Sequence, residues 1–267
     1  MKEIVSQNNN TVKLIKKLKS KKYRDSEGQY VIEGENLIRE AVKNNEDISL
    51  IGIKSDGIIA SNEEKTKKYI RDIPEELKDR TVFFSEDVFK SLTDTVTPQS
   101  ILGVVQKKEK CFTDGKNRFI ILDELQDPGN VGTIIRTADA AGFTGVIITP
   151  KTADVYSPKV IRAAAGSLFR IVIKEFDDRE SLLSFLKKNN IKTYACDITE
   201  SKGYTDVDLK SDFAIVIGNE GNGISDFFLK HSQTINIPMK EETESLNAAI
   251  AAGIVIYESV RQNQKQE

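Results

Sequence analysis

Short, continuous apolar runs alternate with amphipathic segments, most regularly after residue 118. The apolar runs predict buried strands at residues 118–123, 145–149, 169–173, 193–196, 213–217 and 234–238. Between them, apolar residues at helical spacing predict helices at 130–141, 158–165, 179–189, 223–231 and 244–261. Apolar strands that alternate with helices are typical of an α/β fold with a mostly parallel sheet covered on both faces.

The first half of the chain mixes shorter elements. We expect strands at residues 29–34, 50–53, 81–84 and 101–105, and helices at 12–24, 35–43 and 87–92. Segment 107–117 is polar, contains Asp114-Gly115 and has no clear periodicity, which indicates a linker. A chain of 267 residues has room for two domains. The predicted domains are 1–110 and 118–267.

Composition limits the possible partners. The net charge is −2, so any nucleic-acid contact needs a local basic surface. Segment 12–24, with seven Lys/Arg and no acid, is either a solvated helix face or a phosphate-contacting one. Cys111, Cys196 and the single histidine, His231, have no metal-ligand spacing, so we expect no metal and a helix-end or surface role for His231. Without a membrane-length apolar run or a signal-peptide segment, we expect no membrane contact and a cytoplasmic location.

The first unusual strand-to-helix junction is segment 127–136. Pro128-Gly129 makes a tight turn, and Asn130 is placed to cap the next helix. Arg136, two turns into that helix, is a permanent cation suited to phosphate or to a developing oxyanion. The alternative is a well-capped helix that carries a surface arginine.

The second junction, 217–225, combines a strand end with three glycines and Glu220. Glycines there allow the close approaches that a small-molecule site needs. The spacing is neither G-x-G-x-x-G nor that of a P-loop, which argues against a dinucleotide or nucleoside triphosphate. The alternative is a glycine-rich turn without a ligand.

The third junction is segment 237–247, followed by an alanine-rich helix. Thr243 or Ser245 is placed to act as the N-cap, and the small residues after it permit close packing. The alternative is a capped, buried terminal helix.

Together and in this order, the three segments resemble the SpoU (TrmH) branch of the SPOUT RNA methyltransferases. The matching residues are Asn130, Gly132, Arg136, Thr137 and Ala138, then Gly218, Asn219, Glu220, Gly221 and Gly223, then Ile237, Pro238, Met239, Ser245, Leu246 and Asn247. The first half resembles, more loosely, the ribosomal-protein-like RNA-binding domain that many members carry.

The resemblance implies a trefoil knot in the C-terminal domain, although knots are nearly absent from other proteins. It implies a homodimer with its active site near the subunit interface. It also implies methyl transfer from S-adenosylmethionine to a ribose 2′-hydroxyl of RNA. We expect ribosomal RNA of the 23S type as the substrate, with transfer RNA as the alternative.

Site residues follow from the same resemblance. The expected cofactor-binding residues are Thr149, Gly218, Asn219, Ile237, Met239 and Leu246. Arg136 is expected to bind the adjacent phosphate and stabilise the developing alkoxide, because a guanidinium is a poor base. Asn130, Glu220, Ser245 and Asn247 would orient the ribose and Arg136. The competing functions are an ordinary nucleotide-binding Rossmann enzyme and a non-catalytic RNA-binding ribosome-assembly protein.

Overall fold

The computed structural model of the chain describes residues 3–55, 73–94, 99–112, 115, 117–197, 202–240 and 242–264. The chain divides into two compact units, Met1–Glu109 with Tyr156–Ile161, and Lys110–Val155 with Arg162–Glu267. In the predicted linker, Asp114 and two neighbouring positions lie outside the described residues. No helix in the described ranges has both the length and the apolar character that a membrane span requires.

The first unit is built on a five-stranded mixed sheet in the order β1-β4-β3-β5-β2. Its strands are β1 (Glu3–Ile4), β2 (Gln29–Glu33), β3 (Ile48–Ser55), β4 (Thr81–Ser85) and β5 (Ile101–Gln106). Its helices are α1 (Asn10–Lys17), α2 (Lys21–Glu27), α3 (Glu35–Lys43), α4 (Glu75–Lys78) and α5 (Glu86–Leu92). The expectation of one helix over 12–24 is wrong, because Ser20 is extended and begins a second helix.

The second unit is built on a seven-stranded sheet in the order β10-β12-β9-β11-β6-β7-β8, in which every pair of neighbours is parallel. The predicted α/β fold with a mostly parallel sheet is confirmed. Its strands are β6 (Arg118–Leu122), β7 (Gly145–Ile148), β8 (Val172–Glu175), β9 (Lys192–Cys196), β10 (Lys202–Gly203), β11 (Phe213–Ile217) and β12 (Gln233–Asn236).

The helices that accompany this sheet are α6 (Pro128–Ala140), α8 (Arg179–Lys188), α9 (Asp226–His231) and α10 (Ala248–Asn263). Helix α7 (Pro158–Ala164) begins in residues of the first unit and ends in residues of the second. Two predicted elements are displaced. Residues Ser167–Phe169 form a 3-10 helix, so the strand expected at 169–173 begins only at Val172. The helix expected from residue 223 begins at Asp226, because Gly223 has a left-handed φ of 69°.

One face of the parallel sheet packs against α8 and α9. Alternate residues of the central strands, Phe119 and Ile121 of β6 with Ala214 and Val216 of β11, share a buried cluster with Leu182 of α8. These residues have no exposure to solvent. The core therefore fixes the positions of the strand ends, where the unusual junctions begin.

A buried ion pair joins the end of β6 to the start of α8. The side chain of Asp123 is 1% exposed, and its Oδ1 accepts from Nε and Nη2 of Arg179 at 3.0 and 2.8 Å. Its Oδ2 accepts from the backbone N–H of Ser225 at 2.9 Å. Arg179 also donates to Glu124 at 2.6 Å. A buried carboxylate needs such partners, so this cluster fixes β6, α8 and the loop after β11 to one another.

We predict that Arg179→Ala lowers the free energy of unfolding by roughly 3 kcal/mol, because it leaves the Asp123 carboxylate buried without its cation. Urea-induced unfolding followed by circular dichroism measures the change. Lys192→Ala is the control, since Lys192 and Asp208 form an exposed pair at 3.5 Å that is worth less than about 1 kcal/mol. Equal destabilisation by the two substitutions would contradict the role of the pair.

Candidate active site

The three unusual junctions lie at the same edge of the parallel sheet. Strand β6 leads into the loop before α6, and β11 leads into the glycine-rich loop 218–225. Strand β12 leads into segment 237–247, which precedes α10. In the sheet, β11 lies between β6 and β9, and β12 is the next strand beyond β9. Ligands of open parallel sheets bind at this carboxyl edge.

Glu220 connects the junctions. Its Oε1 accepts from the backbone N–H of Asp127 and from Nδ2 of Asn130, both at 3.0 Å. Its Oε2 accepts from the backbone N–H of Gln126 at 3.2 Å. Nδ2 of Asn247 in turn donates to Oδ1 of Asn130 at 3.0 Å. One residue from each of the three segments therefore takes part in a single polar network.

The helix caps explain why Asn130 is available for this network. Asp127, not Asn130, caps α6 and accepts from the backbone N–H of Asn130 at 2.7 Å. Asn247 caps α10 and accepts from the N–H of Ala249 at 2.9 Å. The predictions of Asn130 and of Thr243 or Ser245 as N-caps are therefore wrong. Because Asp127 satisfies the helix end, the Asn130 side chain is free to bridge the other two segments.

Glu220 is an acceptor at neutral pH. Partial burial by itself would raise the pKa of Glu220, but the hydrogen bonds from Asn130 and from backbone amides outweigh burial and hold this pKa below its ordinary value. A carboxylate with a lowered pKa orients donors well and takes up protons poorly. Glu220 is therefore suited to positioning its neighbours and not to acting as a base.

The glycine-rich loop is closed tightly on itself. Asn219 and Gly223 exchange two backbone hydrogen bonds of 2.9 Å. A Cβ at Gly218 would lie 2.4 Å from the backbone of Gly223, so no other residue fits there without moving the loop. The Asn219 side chain accepts from the N–H of Gly221 at 2.9 Å and donates to the carbonyl of Glu124 at 2.8 Å. The loop thus presents backbone groups in a fixed arrangement.

A cavity of about 580 Å³ lies between this loop, the end of β9 and segment 237–247. Its lining includes the carboxylates of Asp197, Glu220 and Glu244, and no lysine or arginine among the residues that the structure describes. Such a lining favours a ligand with positive charge and disfavours phosphates. The other lining residues are Cys196, Ile217, Gly218, Asn219, Gly221, Asn222, Gly223, Ile224, Ile237, Met239, Ser245, Leu246, Asn247, Ala248 and Ala251.

Cys196 forms part of the cavity wall. Burial, assisted by the charge of Asp197, raises the pKa of its thiol to about 11. The thiol therefore stays protonated at neutral pH. The chain's other cysteine, Cys111, is exposed and unpaired.

Most predicted cofactor residues line this cavity, whereas Thr149 and Arg136 belong neither to its lining nor to the network of Glu220, Asn130 and Asn247. Thr149 is buried, and its hydroxyl donates to the carbonyl of Leu122 at 3.1 Å. Arg136 is exposed on α6 and has no hydrogen bond or ion pair with any described residue. The structure thus joins Asn130, Glu220 and Asn247 directly and leaves the Arg136 guanidinium free in solvent.

Sequence reasoning missed the residues that support the site. Asp123 and Arg179 are 56 positions apart and belong to no motif. Asp123 did carry a signal, because an acid that ends a buried apolar strand needs a partner. No comparable signal pointed to Asp197.

His231 ends α9, as expected, and its ring lies 4.9 Å from that of Phe227. No three His, Cys, Asp or Glu residues within the described ranges are grouped as metal ligands would be.

Comparison with known families assigns both halves of the chain. A model of the SpoU rRNA Methylase family matches residues 117–257. A model of the MRM3-like substrate binding domain matches residues 9–103. The first match covers more than half of the chain and includes all three junctions.

Individual relatives resemble the chain over nearly its full length. A Bacillus subtilis (strain 168) protein named 23S rRNA (guanosine(2553)-2′-O)-methyltransferase RlmP is 36% identical over 263 residues, which is 96% of this chain and 98% of that protein. The AdoMet-bound rRNA methyltransferase of Sinorhizobium meliloti has a TM-score of 0.85 and 28% identity, with 99% of each chain covered. The SpoU methyltransferase AviRb of Streptomyces viridochromogenes, solved with AdoMet, has a TM-score of 0.84 and 25% identity, with 96% of this chain and 98% of that chain covered. This chain belongs to the SpoU rRNA methylase family.

Proposed function

We propose that this chain transfers a methyl group from S-adenosylmethionine to a ribose 2′-hydroxyl of ribosomal RNA of the 23S type. The observation that carries the proposal is the cavity at the carboxyl edge of the sheet. It is lined by two of the three family segments and tied to the third, and its charged side chains are all acidic. The Bacillus subtilis relative, whose name specifies a 23S rRNA ribose, supports the substrate.

The residues present fit this cofactor. S-adenosylmethionine carries a sulfonium and an ammonium cation beside one carboxylate, and the acidic residues of the lining suit its net positive charge. The volume of about 580 Å³ lies in the usual range for small-molecule sites. Gly218, Asn219, Ile237, Met239 and Leu246 would hold the cofactor, largely through backbone groups. Thr149 does not line the cavity, and its buried hydroxyl donates to the carbonyl of Leu122.

The same lining disfavours the two competing functions. A Rossmann enzyme would need donors for a pyrophosphate, whereas this cavity carries acids. A non-catalytic RNA-binding protein would have no need for a network that fixes Asn130, Glu220 and Asn247. Methyl transfer therefore explains more of the observed geometry than either alternative does.

The mechanism rests on positioning and electrostatics. When bound, the cofactor would supply an electrophilic sulfonium methyl group: the 2′-oxygen bonds to the methyl carbon as the carbon–sulfur bond breaks, the thioether leaves, and the hydroxyl proton passes to solvent. Arg136, with its planar fork of donors, would bind the phosphate next to the reacting ribose and stabilise negative charge on the 2′-oxygen. Asn130, held by Glu220, and Asn247 would orient the ribose, with Ser245 contributing its hydroxyl from the same cavity wall.

We predict that Arg136→Ala lowers the methyl-transfer rate by roughly 10²–10³, the usual effect of losing a preorganised donor. Cofactor affinity should stay unchanged, because Arg136 does not line the cavity. Radiolabelled methyl transfer to total ribosomal and transfer RNA measures the rate, and calorimetry measures cofactor binding. Lys188→Ala, which removes an exposed cation from α8, is the control.

The outcomes of this assay separate the alternatives. Near-normal turnover by Arg136→Ala would refute the role of Arg136. Label on transfer RNA alone would refute the ribosomal substrate. No transfer to either RNA by the wild-type protein would refute the proposed reaction.

We predict that Gly218→Ala weakens cofactor binding by on the order of tenfold or more, which corresponds to about 1.4 kcal/mol. The added methyl group would collide with the backbone of Gly223 and displace the loop. Gly221→Ala is a matched control in the same loop, because its Cβ would meet only the Asn219 side chain at 3.6 Å. Titration calorimetry with S-adenosylmethionine compares them, and equal affinities would contradict the role of the loop.

We propose that the protein is a homodimer formed through α10. One face of this helix is buried, whereas Ile250 and Tyr257, two turns apart, are 56% and 52% exposed. Gly253 lies between them with open space beside it, so another helix can approach closely. Exposed apolar residues of this kind mark interaction surfaces.

We predict that Ile250→Asp with Tyr257→Asp converts a dimer into a monomer in analytical ultracentrifugation, because charges would enter the apolar contact. The control is Lys187→Asp with Lys188→Asp on the exposed part of α8. A wild-type protein that sediments as a monomer at micromolar concentration would contradict the dimer.

We propose that the C-terminal chain is tied as a trefoil knot at the cofactor loops. The support is that segments 218–223 and 237–247, which are separate in sequence, line one cavity beside three neighbouring strands. We also propose that residues 1–110 are a ribosomal-protein-like RNA-binding domain and that 118–267 are the catalytic domain. Their agreement with the matched ranges 9–103 and 117–257 supports this division. A crystal structure of the full chain with RNA would test both features.

We propose a cytoplasmic location and a reaction that needs no metal. The protein's proposed substrate is RNA, which supports the first statement, and the absence of grouped metal ligands from the described residues is compatible with the second. Cell fractionation and methyl-transfer assays in a chelator test them. Recovery with membranes, or loss of turnover in the chelator, would contradict the corresponding statement.

A further inference from the structure

The seven basic residues between Asn10 and Arg24 fall into two groups. Three of them bind other parts of the first unit. Arg24 is buried and donates from Nη1 to the carbonyl of Leu18 at 2.7 Å. Lys19 binds Asp94 at 2.7 Å, and Lys16 donates to Gln7 at 2.6 Å. These three cations are accounted for by the fold.

The other four lysines have exposed side chains, and none forms a hydrogen bond or ion pair with a described residue: Lys13, Lys17, Lys21 and Lys22. No polar contact within the described structure therefore explains why these four side chains are positively charged. Four cations on one segment repel one another, and no hydrogen bond or ion pair with a described residue offsets this repulsion. Four exposed lysines within ten residues that contain no acid favour an anionic ligand outside the chain.

The four lysines share one surface. Lys13 and Lys17 are four residues apart and lie on the same side of α1, while Val12 and Ile15 face the core. The Nζ of Lys17 lies 5.5 Å from the centre of the Tyr23 ring in the first turn of α2. This cation–π contact brings the start of α2, with Lys21 and Lys22, next to the exposed side of α1.

No acid among the described residues forms an ion pair with these four lysines. Residues 10–24 contain no acid. Asp25 and Glu27 lie further along α2, and Asp25 accepts from Lys107 at 2.6 Å. Asp94 is bound by Lys19. The lysines thus form a local positive patch on a protein whose net charge is −2.

We infer that the patch of Lys13, Lys17, Lys21 and Lys22 binds the phosphate backbone of the substrate RNA. The inference rests on the proposed function, which makes RNA the substrate, and it assigns part of the binding to a named surface of the first unit. Lysine ammonium groups contact phosphates as point charges, so the patch adds affinity and orientation and does not read sequence. RNA is a polyanion, so its phosphates can pair with all four lysine charges at the same time.

The test is the salt dependence of RNA binding. Each phosphate contact releases counterions and contributes about 0.7 to the slope of log affinity against log salt on single strands. Replacing all four lysines with alanine should lower this slope by about 3. Between about 50 and 200 mM salt, wild-type affinity should then fall about 50-fold more than that of the variant.

The probe is deproteinised 23S ribosomal RNA in a filter-binding assay. The matched control removes four exposed cations elsewhere, by replacing Lys43, Lys90, Lys187 and Lys188 with alanine. Its slope should stay close to that of the wild type. Calorimetric titration with S-adenosylmethionine checks that the patch variant retains an intact catalytic unit.

Three results would overturn the inference. The first is that the patch variant has the same salt slope as the wild type. The second is that the control variant loses as much slope as the patch variant. The third is that the patch variant binds deproteinised RNA normally but no longer binds intact ribosomal particles. The last result would mean that the patch contacts protein. Failure of the proposed function can be told apart from failure of this inference. In that case the wild-type protein would transfer no methyl group, but its salt slope would still differ from that of the patch variant.

Discussion

The acceptor capacity of the Glu220 carboxylate holds the active site together. Its two oxygens accept from two backbone amides and one side-chain amide of the segment after β6, although Glu220 itself follows β11. The Asn130 side chain in turn accepts a hydrogen bond from Asn247 at the start of the last helix. Loops without regular structure have little stability of their own, so contacts of this kind decide whether they keep one shape. The cavity exists because these segments are fixed to each other.

Charged side chains are distributed unequally over the molecule. The distribution fits the two proposed ligands, S-adenosylmethionine and RNA. The cavity is lined by acids and suits a cationic methyl donor. The cluster of exposed lysines on α1 and α2, together with Arg136 on α6, suits a polyanion. A nearly neutral chain can therefore bind ligands of opposite charge. The net charge of the chain by itself would not reveal either the acidic cavity or the basic surface.

The sequence predicted the fold class and most elements, because buried strands and amphipathic helices repeat at different periods. Helix α3 and strand β11 were predicted with the bounds that the structure has. Cap identity was not predictable, since Asn130, Thr243 and Ser245 are all good capping residues, and tertiary contacts selected Asp127 and Asn247 instead. The pair of Asp123 and Arg179 depends on how β6 and α8 meet in space, about which local patterns say nothing.

The thiol of Cys196 stands in the wall of a cavity that fits an alkylating reagent. Thiolates attack sulfonium methyl groups readily, whereas thiols do so poorly, because the thiolate is the nucleophile. With its pKa raised to about 11, only about one thiol in 10⁴ is ionised at neutral pH. A thiol with so high a pKa is a weak nucleophile, so Cys196 is a poor acceptor for the methyl group of the proposed cofactor, and a more polar wall at this position would make it a better one.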